Sequence, residues 1–339
     1  MRLSVGVCLA TIISFCAVAQ TTVESPELLK KNLFDIGGGR RMNMVCIGEG
    51  SPTVVFDYGL AGHLLHWQKI QASVSAFTRA CFYDRAGYGY SDPSPRPLTA
   101  ENVVDDLHAL LAKASIAEPV VLVGHSIGGL YATLYADKYL NQVAGLVLID
   151  PSYAGQERMD RMLAPDEQQK IKAAQDEEIA AKKRCADLAR AGALTAENPH
   201  DCFQFAPNRT SSEKAYLADQ FTKPFRYEAA ISEQESFDVD TSGTSIDSRQ
   251  EFAAARPFGD IPLIVLTRGV ADTDSEFTPQ ELQAAYNYWK QSHDKLAARS
   301  TRGQSIVVPN SSHFVQNDQP QAVIDAIRKV VDEVRNTSR

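Results

Sequence analysis

From residue 32 onward the chain alternates short apolar runs with longer stretches in which apolar side chains recur every three or four positions. The first pattern is that of buried strands, the second that of helices with one buried face. Residues 33–36 and 42–47 flank Gly37-Gly38-Gly39-Arg40 and predict an antiparallel hairpin. Residues 53–57, 80–83, 120–123, 144–149, 263–267 and 305–308 supply six further buried strands, which makes eight. Between them, Val103, Leu107, Leu110 and Leu111 follow a possible cap at Thr99, and Val323, Ile327, Val330, Val331 and Val334 follow Pro320. These stripes predict helices that pack on the sheet. Strands alternating with helices imply an α/β fold, a mostly parallel sheet covered by helices.

Residues 151–256 break this rhythm. They are charged and helix-prone around 165–191 and again around 212–234, and read as a helical cap inserted between the sixth and seventh strands. The core then falls into two parts, 20–150 and 257–339. The run Asp176-Glu177-Glu178 followed by Lys182-Lys183-Arg184 is expected to be a solvated helix face.

The first 19 residues have a different character. Arg2 is their one charge, residues 9–18 are apolar apart from an interruption at Ser14, and Ala17-Val18-Ala19 is a small-x-small cleavage pattern. The run is shorter than the roughly 20 apolar residues that a spanning helix needs. Phe15 before Cys16 is too bulky for a lipoprotein signal. A signal peptide cut after Ala19 is expected, with a secreted or periplasmic product and no stable membrane insertion. Loss of Arg2 changes the formal charge from −8 to −9, a balance that repels nucleic acid. Cys8 and Cys16 leave with the signal, so Cys46, Cys81, Cys185 and Cys202 enter an oxidising compartment as an even set. No C-x-x-C or H-E-x-x-H spacing supports a metal site, and no cofactor is implied.

The chemistry concentrates where residues 120–123 run into Gly124-His125-Ser126-Ile127-Gly128-Gly129, followed by a helix-compatible segment. Strand, G-x-S-x-G and helix in that order form an elbow. Small residues flank the serine because the turn is tight, and the helix start lies beside a developing oxyanion. Ser126 is therefore the candidate nucleophile.

With that elbow, Asp57-Tyr58-Gly59-Leu60-Ala61-Gly62, Asp84-Arg85-Ala86-Gly87-Tyr88-Gly89-Tyr90-Ser91 and Ser312-His313-Phe314, the chain resembles the α/β-hydrolase superfamily, in particular its bacterial branch with a D-R-A-G-Y-G loop. The resemblance covers most of residues 40–150 and 257–335 and is loose in the cap. It places the general base at His313, after the last strand, where a histidine can activate a serine. It offers two positions for the acid: Asp150, which ends the sixth strand in Leu148-Ile149-Asp150-Pro151, and Asp272, after the seventh, the commoner location. Asp150 is the first choice and Asp272 the alternative, with Asp274 a third candidate. The resemblance also puts the oxyanion-hole amides on Leu60 and Ile127. Its usual strand order, 1-2-4-3-5-6-7-8, makes the strands of Cys46 and Cys81 neighbours and leaves Cys185 and Cys202 together in the cap.

Asp84, Arg85 and the glycines after them are expected to brace the rim of the site. Trp67 should pack the first covering helix while His63 and His66 face water; the other reading has all three line the pocket. His125 is expected beneath the turn, without a chemical role. The sequon Asn310-Ser311-Ser312 is set aside, because a glycan there would block the site.

These residues predict a serine hydrolase that cleaves carboxylic esters of small-molecule or short acyl type through an acyl-enzyme. Serine rather than a carboxylate at the nucleophile argues against haloalkane dehalogenation. Two alternatives stand beside it. One is an exported aminopeptidase of the proline-iminopeptidase type, for which Glu228, Glu233 or Glu235 would hold a free amine. The other is a binding protein that kept the fold and lost turnover.

Overall fold

The computed structural model describes residues 26–159, 165–270 and 278–337. Residues 1–25, which carry the expected signal, and 271–277, which carry Asp272 and Asp274, lie outside the described residues. Eight strands form one sheet: β1 (Leu33–Gly37), β2 (Arg40–Ile47), β3 (Val54–Asp57), β4 (Ala80–Tyr83), β5 (Val120–His125), β6 (Val143–Ile149), β7 (Leu263–Arg268) and β8 (Gly303–Val308). Their spatial order is β1-β2-β4-β3-β5-β6-β7-β8. β1 and β2 form the antiparallel hairpin, β2 is antiparallel to β4, and every later pairing is parallel. Gly37, Gly38 and Gly39 all have positive φ, which explains the run of glycines at the hairpin turn.

The central strands β3 and β5 are buried at every residue, as their Val-rich sequences require of a sheet covered on both faces. The expectation of burial fails at β8. It is an edge strand with only Val308 fully buried, and Ile306 is exposed. It has a single neighbour, β7, so less of it is covered.

Helices α1 (Gln68–Ser75) and α10 (Pro320–Thr337) pack together against the sheet, as do α2 (Ala100–Lys113) and α3 (Ile127–Tyr139). The expected stripes are the buried ones: Val103, Leu107, Leu110 and Leu111 on α2, and Val323, Ile327, Val330 and Val331 on α10, with Val334 partly buried. Thr99 caps α2 by accepting the Asn102 N–H.

Among the described residues, four α-helices lie between β6 and β7: α4 (Pro165–Arg190), α5 (Ser211–Phe221), α6 (Pro224–Phe237) and α7 (Ile246–Ala254). The second helix-prone stretch is thus two helices, broken before Pro224. α6 lies between α4 and the body of the protein. Its Ala229 and Ala230 join the main core, while Tyr227 joins a small cap core with Cys185, Ala186, Leu194 and Phe203. The α4 charge run is solvated except at Lys182, which turns inward to Gln234 of α6 and also pairs with Glu178. Cys46 is bonded to Cys81 across β2 and β4, and Cys185 to Cys202 within the cap. α8 (Pro279–Ala297) and the short α9 (Val315–Asp318) complete the chain. Among the described residues, no helix is long and apolar enough to cross a membrane.

Candidate active site

Parallel strands end at one edge of the sheet, and the loops after β3, β5, β6 and β8 bring the candidate residues to that edge. β5 runs directly into Ser126, and α3 starts at the next residue. Ser126 has φ 55° and ψ −126°, a conformation that costs an L-residue about 1–3 kcal/mol and persists only where neighbours enforce it. Here its N–H donates to the Ile149 carbonyl at 3.2 Å, and its carbonyl accepts from Gly129 and Ser152, both at 2.8 Å. The flanking glycines are a packing demand. A methyl on Gly124 would overlap the Gly128 carbonyl, and one on Gly128 would overlap the Asp57 carbonyl.

Asp150 follows β6, fully buried, with φ 40°. Its Oδ2 meets Nδ1 of the half-buried His313 at 2.6 Å. Its Oδ1 accepts from the Arg268 backbone N–H at 3.0 Å and from the Trp289 indole at 2.8 Å. The Arg268 guanidinium lies 3.8 Å from Oδ2. Burial works to raise the pKa of Asp150. The hydrogen bond from His313, with the charges of His313 and Arg268, outweighs it and holds the group at about 2. Asp150 is therefore a carboxylate at neutral pH, and as an acceptor it holds the His313 proton on Nδ1. That leaves Nε2 as the acceptor.

His125, directly before Ser126, lies beneath the turn as expected. Its ring centroid is 4.7 Å from that of His313, and its Nε2 is 2.9 Å from the His313 carbonyl. Burial pushes its pKa down to about 3, so it is neutral and holds the His313 loop in place rather than exchanging protons. On α8, His293 spans Thr267 Oγ1 at 2.7 Å and the Pro151 carbonyl at 2.9 Å, which ties the segment after Asp150 to β7. Trp289 and His293 escaped the sequence reading. Their one signal is the four-residue spacing that puts both on one face of α8.

The loop after β3 lies against the elbow. A methyl on Gly59 would come within 3.2 Å of Ser126 Cβ, so the residue before Leu60 packs against the serine. Arg85 braces the site as expected, but from beneath this loop rather than at the rim. Arg85 is buried under this loop, with Nη1 2.5 Å from Asp57 Oδ1 and 2.7 Å from the Tyr58 carbonyl, and Nη2 2.9 Å from the Gly59 carbonyl. The reason is chemical: a loop that turns its carbonyls inward needs a buried donor with several N–H groups.

His63 and His66 also depart from expectation. They are half-buried, their tilted rings lie 4.2 Å apart, and His66 meets Phe314 edge-on. Burial, then the charges of Arg209 and Arg226, lowers His66 to about 4. His63 is lowered as well, by burial and then by His66. Both are neutral. Trp67 is buried against Phe56, as expected. The three acidic cap residues considered for amine binding are engaged elsewhere: Glu228 with Arg190, Glu235 with Lys183, and the buried Glu233 with Arg85. A cleft of about 270 Å³ between Tyr153, Phe252 and Tyr288 lies apart, lined by neither Ser126 nor His313.

A family model described as the alpha/beta hydrolase family matches residues 58–326, most of the chain. The chain belongs to this family. Sequence relatives include the protein YqjL of Bacillus subtilis, 24% identical over 84% of this chain and 85% of its own length. A Schizosaccharomyces pombe protein, C23C11.06c, is 40% identical over 24% of this chain, which corresponds to 15% of that protein. Proline iminopeptidase PfmaB of Pestalotiopsis fici is 31% identical over 34% of this chain and 41% of its own. Among solved structures, an esterase of Thermogutta terrifontis superposes with a TM-score of 0.54 at 20% identity, covering 90% of this chain and 99% of its own. The epoxide hydrolase CorEH superposes with 0.62 at 17% identity, covering 90% and 99%. At such identities these two structures establish the shared fold alone.

Proposed function

We propose that this member of the family is an exported serine hydrolase that cleaves carboxylic esters. The observation that carries the reading is the 2.6 Å bond from His313 Nδ1 to Asp150, whose chain neighbours Ile149 and Ser152 hold the backbone of the strained Ser126. His313 Nε2 takes the Ser126 proton as Oγ bonds to the ester carbonyl carbon. The carbonyl oxygen becomes an oxyanion, held by the Leu60 and Ile127 N–H groups, the latter at the start of α3. Collapse breaks the carbon–oxygen bond to the alcohol, which leaves with the proton from His313. Water, deprotonated by His313, then cleaves the acyl-enzyme and releases the acid.

Export rests on the apolar leader, its Ala17-Val18-Ala19 end and the two disulfides. The aminopeptidase alternative has the partial relative in its favour, but each acidic side chain put forward for the amine already has a cationic partner. The test is hydrolysis of p-nitrophenyl esters, from acetyl to long acyl, beside proline p-nitroanilide, with fluorophosphonate labelling of Ser126. Ester turnover and labelling that vanish together in Ser126→Ala support the reading. A folded protein that does not label refutes the serine mechanism. Turnover of the anilide without the esters moves the activity to peptides.

A further inference from the structure

The cap is in direct contact with the loop that carries Leu60. Arg226 and Glu233 of α6 are seven residues apart, two turns of one helix, and so lie on one face with Ala229 and Ala230 between them. Both charged side chains are buried, which is costly unless each is paired. Their partners are the two backbone groups of a single residue. Glu233 Oε2 accepts the Ala61 N–H at 2.9 Å, and Arg226 Nη2 donates to the Ala61 carbonyl. Ala61 has φ 53°, a left-handed conformation that a non-glycine residue keeps only under such restraint.

The other oxygen of Glu233 lies 2.8 Å from Arg85 Nε. Arg85 in turn donates through Nη2 to the Gly59 carbonyl at 2.9 Å, which also accepts the Gly62 N–H at 3.0 Å. Gly59 C=O and Leu60 N–H belong to one planar trans peptide, so a donor that holds the carbonyl aims the N–H the opposite way. Glu233 therefore acts on both peptides that flank Leu60: on the following one directly, and on the preceding one through Arg85. Tyr88 OH, 2.9 Å from Oε2, completes the shell of donors around the carboxylate.

We infer that Glu233 is a positioning residue for the oxyanion hole, and that α6 is a fixed wall of the active site whose displacement would misdirect the Leu60 amide. The inference rests on the serine-hydrolase reading above. Glu233→Gln is the perturbation. An amide removes the charge that pairs with Arg85 and puts an N–H₂ against either the Ala61 N–H or the Arg85 guanidinium, so either the hydrogen bond or the ion pair is lost.

The experiment compares wild type and Glu233→Gln on p-nitrophenyl acetate, with affinity for an alkyl trifluoromethyl ketone measured in parallel. Ser126 adds to the ketone carbon, its proton passes to His313, and the former carbonyl oxygen sits as an oxyanion in the hole. Loss of an entire oxyanion donor costs about 10²–10³ in kcat, so misdirection of one is expected to cost tenfold or more. KM should stay within about threefold, and ketone affinity should fall in parallel with kcat/KM. A folded Glu233→Gln protein with kcat within twofold of wild type, or with unchanged ketone affinity, overturns the inference. Should Glu233→Gln fail to fold, Arg226→Gln frees the other side of Ala61. It is expected to lower kcat several-fold at steady KM, and wild-type kcat there overturns the inference equally. If wild type itself neither labels with fluorophosphonate nor turns over esters, the serine-hydrolase reading has failed first. If wild type does both and Glu233→Gln matches it, only the positioning role falls.

Discussion

Asp150→Asn replaces a carboxylate that accepts three hydrogen bonds by a side chain that cannot reproduce all of them. The Arg268 N–H and the Trp289 indole both point at Oδ1, and neither can accept. The amide oxygen must therefore take that side, which turns the amide N–H₂ toward His313. His313 Nδ1, 2.6 Å away in the wild type, then becomes an acceptor, and the ring proton moves to Nε2. In that tautomer the imidazole cannot take the Ser126 proton. The same substitution in an unrelated serine-protease triad lowers kcat about 10⁴-fold with the geometry intact. A loss of that size here corresponds to about 5.4 kcal/mol of transition-state stabilisation. Steady-state hydrolysis of p-nitrophenyl acetate by the mature protein measures it. KM should remain within about threefold, because substrate does not touch the buried carboxylate. Asp272→Asn should retain kcat within about twofold. A folded Asp150→Asn protein with more than a tenth of wild-type kcat refutes the assignment, and a loss confined to Asp272→Asn transfers it to that residue.

Asp247, buried at the start of α7, is pushed up to about 7 by burial, against the hydrogen bond from the Ala100 N–H at 2.7 Å and with Glu233 adding to the rise. Its folded pKa lies above the unfolded value near 4, so its contribution to stability is present at low pH and is lost as pH rises through about 7. Wild type should accordingly melt at a higher temperature at pH 5.5 than at pH 8, and Asp247→Asn should melt higher at pH 8 with a flatter pH response; calorimetry that finds an equally steep response refutes this. The Cys185–Cys202 bridge closes a loop of 17 residues in the cap. Cys185→Ala with Cys202→Ala should lower stability by about 3 kcal/mol in urea unfolding of the oxidised protein, and no change would mean that the bridge is not formed.

Local order carried most of the architecture in the sequence. The strands, the α2 and α10 stripes, the glycine hairpin and the serine elbow are written in contiguous residues, because pleat, helical period and turn geometry act over a few positions. Ser126 could be singled out for the same reason, since its motif is contiguous with a strand end, whereas His313 was placed by the resemblance to the hydrolase superfamily. The acid could be fixed by neither. Asp150 and Asp272 each follow a strand, and only the parallel register of β6 with β5 and β7, with the loop after β8 folded across it, brings His313 onto Asp150. Arg85, Glu233 and Trp289 were opaque for a related reason. A buried charge or indole takes its meaning from partners 28, 172 and 139 residues away, and no local pattern encodes that distance. The sequence by itself determined the α/β class and the elbow, through local sterics and periodicity, and its resemblance to the hydrolase superfamily supplied the candidate base. Tertiary structure alone decided which carboxylate meets His313 and what the cap's buried charges hold, because an unpaired buried charge is too costly to stand and finds its partner wherever the fold supplies one.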